Sequence, residues 1–225
     1  MSHSLLEKIL SELPKFHRGD TEIRRAVSAQ ETILRGPVFE CVSNNLPACC
    51  YGVEPVLARF LYDTVANCCK TLETGSGIST LVFALRQSNH IAITPSATEV
   101  AAIRAYADAN EIPLDRVEFI VEASERYLPR YEGKDLDLVL IDGKHAFPWP
   151  ILDWFYTADR LKQGGIVVLD DLQMSSVAIL RDFILEDPRW QLERSFGRRA
   201  VAVKKISASV TDVACIFRDR DAHAR

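Results

Sequence analysis

The chain has no apolar run approaching the roughly 20 residues that cross a bilayer, and no apolar signal core at its N-terminus. Those two absences point to a cytoplasmic protein with no membrane partner. Its six cysteines, Cys41, Cys49, Cys50, Cys68, Cys69 and Cys215, show no CxxC spacing. A zinc site built on them is disfavoured, and reduced, mostly buried thiols are the expectation. An excess of one charge is missing too: 27 basic against 31 acidic residues leave a net charge of -4. Nothing in that balance favours nucleic acid, whereas a small neutral or cationic molecule is easily accommodated. Neither GxxxxGK[ST] nor GxGxxG occurs, so the two common phosphate-cradling loops are absent.

What is present is 225 residues, 48% of them hydrophobic, enough for one large domain. Residues 1–53 read as an N-terminal helix followed by a loop-rich cap or arm. In the helix, Leu5, Leu6, Ile9, Leu10 and Leu13 form one stripe, which can pack on its own domain or on a second copy in a homo-oligomer. Residues 54–206 alternate short apolar strands with amphipathic helices, the pattern of a doubly wound α/β sheet. "EPVLARFLYDTVANCC" reads as a helix with Val56, Leu57, Phe60, Leu61, Val65 and Cys68 on its apolar positions. "ILDWFYTADRLKQGG" reads as a helix closed by Gly164 and Gly165. "WQLERSF" and "RAVAVKKI" flank a turn as an antiparallel pair ending the sheet. Residues 207–225 form a polar tail.

"LETGSGIS" follows the first strand of this unit, where an open parallel sheet binds its ligand. Counting from Gly75 and Gly77, the third glycine position of a dinucleotide loop holds Thr80. Glu73 would repel a pyrophosphate but attract a sulfonium or an ammonium. The two glycines permit close backbone approach. With Glu73, Gly75, Ser76 and Gly77, this stretch resembles the first motif of class I S-adenosylmethionine-dependent methyltransferases. The strand-helix order over 54–206 is similar to that fold, with its seven-stranded, mostly parallel, Rossmann-like sheet and antiparallel C-terminal pair.

The resemblance implies S-adenosylmethionine as cofactor and carries over three further positions. An acidic residue that takes the ribose hydroxyls usually ends the second strand, about 20 residues beyond the glycine loop. Here "HIAITPSATEV" places Thr94 there, and Ser96 and Glu99 are the polar residues that follow. After the third strand, Ser124 matches the adenine-edge position. After the fourth, "LVLIDGKHAFPWP" supplies Asp142, also expected near the cofactor.

Strands four and five end in Asp142 and in Asp170 and Asp171. Adjacent parallel strands lie about 4.8 Å apart, so three carboxylates there repel one another unless hydrogen-bonded or bridged by a cation. The arrangement is similar to the metal-dependent catechol and caffeoyl-CoA O-methyltransferases, which implies Asp142, Asp170 and Asp171 as ligands of Mg²⁺ or another divalent ion. "IDGKH" also resembles the DGxH pattern of bacterial methyltransferases, which implies His145, with Asp142, as the catalytic pair acting on a hydroxyl of a small molecule. Asp170 and Asp171 serve equally well as caps of the next helix, and Asp142 as a partner of its own turn. Phe147 and Trp149 are candidate walls of a substrate pocket; Trp154 and Phe155 suit helix-to-sheet packing. A non-catalytic protein of the same fold, binding a nucleoside-like ligand or a partner protein, is the alternative, and Thr94 is its main support.

Overall fold

The computed structural model describes residues 2–14, 16 and 53–207. Apart from their ends, the expected cap and the polar tail lie outside the described residues. In chain order the elements are helices α1 (Ser2–Glu12) and α2 (Pro55–Thr64), strand β1 (Lys70–Thr74), helix α3 (Ile78–Leu85), strand β2 (Asn89–Ile93), and helix α4 (Ala97–Ala109). Strand β3 (Val117–Ile120), the one-turn helix α5 (Ser124–Tyr127), strand β4 (Leu136–Ile141), helix α6 (Trp149–Thr157) and strand β5 (Leu161–Leu169) follow. Helix α7 (Ser175–Glu186) and strands β6 (Trp190–Phe196) and β7 (Ala200–Lys205) complete the unit. No described helix is long and apolar enough to cross a membrane.

The strands form one seven-stranded sheet of order β3-β2-β1-β4-β5-β7-β6. Five are parallel, and β7 runs antiparallel to both β5 and β6. The expected α/β sheet with its antiparallel closing pair is therefore present. Strand β4 shows why it needs helices on both faces. Leu138 and Leu140 join the core under α1 to α4, while Val139 and Ile141 join the core under α6 and α7. Side chains alternate at period two, so a strand apolar at every position can be covered only from both sides.

Two helix expectations need correction. The helix expected to run to Cys69 stops at Thr64. Val65 turns extended, and its carbonyl accepts the Arg86 Nε–H at 2.6 Å instead of continuing the helical ladder. Val56 then points outward, 44% exposed, and Cys68 adopts φ 66° in the turn leading to β1. The helix expected to close at Gly164 and Gly165 ends at Thr157, where the buried Lys205 ammonium donates to the carbonyls of Ala158 and Leu161 at 2.8 and 2.9 Å. A cation at a helix C-terminus complements the dipole there. The two glycines belong to β5 instead. Leu136 pairs with Leu161 and Leu138 with Ile166, so the chain bulges between them. Gly164 has φ +83°, and a Cβ on Gly165 would come within 3.0 Å of the Leu136 carbonyl oxygen.

The N-terminal stripe packs on its own domain. Leu6, Ile9 and Leu10 are buried in the same cluster as Leu57, Leu61 and Leu81. Glu7 pairs with Arg59 of α2 at 2.8 Å on the outer face. That pair is exposed and screened by solvent, whereas each buried leucine contributes about 1.5–3 kcal/mol, so apolar burial holds α1 down. Leu6→Ala is expected to cost about 2–5 kcal/mol of unfolding free energy in a denaturant titration. A loss under about 1 kcal/mol would mean that α1 is not part of the core.

Candidate active site

The carboxyl ends of five strands finish in step. Thr74 is level with Ile93 and Ile141, Ile93 with Ile120, and Ile141 with Leu169. The residues that follow continue the ladder: Gly75 N–H donates to Ile93, Thr94 N–H to Ile120, Asp142 N–H to Thr74 and Asp170 N–H to Ile141. Gly75, Thr94, Asp142 and Asp170 therefore stand in one row along the top of the sheet. The strand order reverses between β1 and β4, which makes that row the crevice where open α/β sheets bind ligands.

Gly75 is required at this reversal. Its φ is +91°, and a Cβ would collide with the backbone carbonyl of Asp142. The glycine loop and the acidic loop thus touch backbone to backbone. Beneath them Glu73 is 1% exposed. Its carboxylate accepts the Thr80 hydroxyl proton, and the Thr80 oxygen accepts the Gly77 N–H at 3.0 Å. His90 Nε2 lies 3.1 Å from the same carboxylate, its Nδ1 is 2.9 Å from Thr71 Oγ1, and its ring stacks on Phe83. Glu73 therefore places negative charge under the loop, and Gly77 spends its N–H inside the protein. Both features oppose a phosphate seated on this loop. Thr80, which breaks the dinucleotide pattern, is the latch, and neither it nor His90 was singled out in the sequence as a partner of Glu73.

On the other side of the reversal, His145 lies between two carboxylates. Its Nε2 is 3.5 Å from Asp142 and its Nδ1 3.4 Å from Asp171, with each of the three side chains about one-fifth exposed. Burial alone would lower the imidazole's pKa, but the facing carboxylates of Asp142 and Asp171 outweigh it, so the His145 pKa is raised. Burial raises Asp142 and Asp170; the charge of Asp171 raises both further, and that of Asp142 also raises Asp170. The ligand atoms that come together within 4.8 Å of one another are those of Asp142, His145 and Asp171. Asp170, expected in that group, is 3% exposed and accepts the Asp171 N–H at 2.8 Å.

Asp171 has φ +60° and accepts from Gln173. Arg199, in the turn between β6 and β7, reaches it at 3.5 Å and also pairs with Glu54 at 3.2 Å. No side chain caps α7, so neither aspartate serves as its cap. Of the expected walls, Phe147 is 67% exposed and the Trp149 ring carries the Lys144 ammonium 3.6 Å from its centre. Trp154 packs in the core against Phe183 and Trp190, whereas Phe155 is half exposed rather than packed on the sheet. Ser124 is buried at the start of α5, close to Asp153 of α6.

Comparison with known proteins places the architecture. Residues 72–172 match the family described as Methyltransferase domain. No match was found among curated proteins. Among solved structures, the SAH-bound methyltransferase PaMTH1 of Podospora anserina superposes with a TM-score of 0.57 at 16% identity, over 86% of this chain and 100% of that one. An SAM-dependent O-methyltransferase of Thermotoga maritima gives 0.55 at 17%, over 69% and 67%. An rRNA methylase of Streptococcus thermophilus gives 0.53 at 16%, over 68% and 95%. At such identities the likeness establishes the fold, which is that of the S-adenosylmethionine-dependent methyltransferases.

Asp153 carries a consequence for stability. It is 1% exposed, neither carboxylate oxygen has a hydrogen-bond partner, and burial raises its pKa to about 6 against the pull of the nearby Ser124 and Thr74 hydroxyls. A pKa raised on folding gives a contribution that is fully present below the unfolded value near 4 and is lost as pH rises through about 6. Asp153→Asn should therefore stabilise the protein at pH 7 by roughly 1–3 kcal/mol and have little effect at pH 4. Thermal melts at the two pH values measure this, and equal effects at both would contradict it.

Proposed function

We propose that this protein is an S-adenosylmethionine-dependent methyltransferase that methylates a hydroxyl of a small molecule. The observation that carries the reading is the contact of Gly75 with the Asp142 backbone. It sets a glycine loop suited to a cationic, phosphate-free cofactor beside an acid–imidazole cluster suited to taking a proton from an acceptor. The net charge of -4 and the carboxylates at the crevice favour a small molecule over RNA.

The reaction follows from that juxtaposition. Glu73 beneath the loop lends negative charge to the region of the sulfonium. The acceptor hydroxyl is positioned near His145, and as the oxygen forms its bond to the methyl carbon, the carbon–sulfur bond breaks. The hydroxyl proton passes to an imidazole nitrogen, leaving a methyl ether and S-adenosylhomocysteine. Asp142 and Asp171 orient the ring and stabilise the imidazolium produced. In-line positioning supplies much of the acceleration.

The donor set also fits a hard divalent ion such as Mg²⁺, which takes oxygen ligands and would relieve the repulsion between the carboxylates. Asp142 and Asp171 would hold it, with Asp170 alongside. When bound, it would acidify the acceptor hydroxyl.

Calorimetric titration of S-adenosylmethionine into the ligand-free protein should show micromolar binding, about -8 kcal/mol. His145→Ala should leave that binding intact while lowering turnover on a panel of phenols and sugar hydroxyls about 10²- to 10⁴-fold. EDTA should suppress turnover, with Mg²⁺ restoring it. Absence of cofactor binding in folded protein would sink the reading, and unchanged turnover would remove His145 from the mechanism.

A further inference from the structure

The second strand lacks the terminal acid that would take the ribose hydroxyls; it ends at Ile93 and is followed by Thr94, buried to 2% exposure. A threonine offers a single oxygen, and here that oxygen already accepts the Ser96 N–H, so it cannot give each of two vicinal hydroxyls its own acceptor oxygen as a carboxylate does. The structure supplies a carboxylate at that place from another element. Glu99 stands in the first turn of α4, and its Oε2 accepts the Thr94 hydroxyl at 3.1 Å and the Ser76 hydroxyl at 3.4 Å. One donor comes from the end of β2 and the other from the glycine loop, so the carboxylate spans the two edges between which a ribose would sit.

Ser96, the other polar residue in reach by sequence, is occupied elsewhere. Its hydroxyl accepts the Glu99 N–H at 3.2 Å as the helix cap and lies 3.0 Å from Thr98 Oγ1. Thr94 is tied into the same turn, because its Oγ1 accepts the Ser96 N–H at 3.3 Å. The capped turn thus holds the α4 N-terminus against the strand end and aims Glu99 back over it. An acid in the first turn is favoured by the helix dipole. Glu99 is half-buried, as suits a carboxylate that meets a ligand at the rim of a crevice.

We propose that Glu99, with Thr94 as its positioning residue, is the ribose-binding acid of this protein, displaced by five residues from strand end to helix. The proposal rests on the S-adenosylmethionine reading above. The two hydroxyls that already converge on Oε2 are the same chemistry that a ribose 2′,3′-diol presents. In the bound state the diol donates to this carboxylate beside, or in place of, Ser76 and Thr94.

The test compares S-adenosylhomocysteine with its 2′,3′-dideoxy analogue by calorimetry on the full chain. Wild type is expected to bind the ribose form about ten- to a hundredfold more tightly, the range of hydrogen bonds to a charged group. Glu99→Gln should reduce that preference to about threefold or less while leaving the dideoxy affinity nearly unchanged. Thr94→Asp in the Glu99→Gln background returns a carboxylate to the strand end and should restore most of the preference. It also guards against a folding defect, since a misfolded protein could not be rescued this way. A Glu99→Gln protein that keeps the ribose preference overturns the proposal, as does one that loses both ligands equally. If wild type binds neither ligand, the cofactor reading fails with it. If wild type binds both equally, only the Glu99 assignment fails.

Discussion

A carboxylate shut away from water at the end of the first strand is the constraint around which this molecule is arranged. Glu73 cannot be left without partners in so dry a place, because an unpaired buried charge costs several kcal/mol. Its partners come from the two elements that flank β1. Thr80 reaches it from the first turn of α3, and His90 from β2. Because Thr80 also accepts the Gly77 N–H, satisfying the acid closes the glycine loop at the same time. The loop's shape and the charge beneath it are consequences of one buried group.

The second organising feature is the level finish of the strands. Parallel pairing with a common end brings residues far apart in the chain into one row, and the backbone contact of Gly75 with Asp142 joins the two halves of that row. Charge then accumulates at the edge faster than local pairing removes it. His145 and Arg199 enter from opposite sides, one from the loop after β4 and the other from the turn before β7. Both partners meet Asp171, whose backbone is held at positive φ. The edge is polar and acidic.

Much of this was legible in the chain. Strands apolar at every position mean a sheet covered on both faces, and "ETGSGIST" and the aspartate-ended strands mark its carboxyl edge. Helix ends were less legible. "KQGG" looks like a helix stop, because two glycines after lysine are the usual signal. Here they serve a bulge that only the pairing of β5 with β4 requires. The stop at Thr64 was hidden for the same reason, since the partner of the Val65 carbonyl is an arginine 21 residues away.

The site followed the same division. Residue types and their intervals determined that a phosphate-free glycine loop, an Asp-x-x-His turn and a pair of aspartates would gather at the sheet's carboxyl edge, because those intervals count strand and loop lengths. Which carboxylate meets which ring was decided by tertiary structure. Asp170 turns inward to its neighbour's amide while His145 takes its place beside Asp142 and Asp171. Thr94, which by sequence looked like a missing acid, stands hydrogen-bonded to Glu99 from the next helix. Distances across the sheet and between a helix turn and a strand end depend on packing, and no local pattern in the chain encodes them.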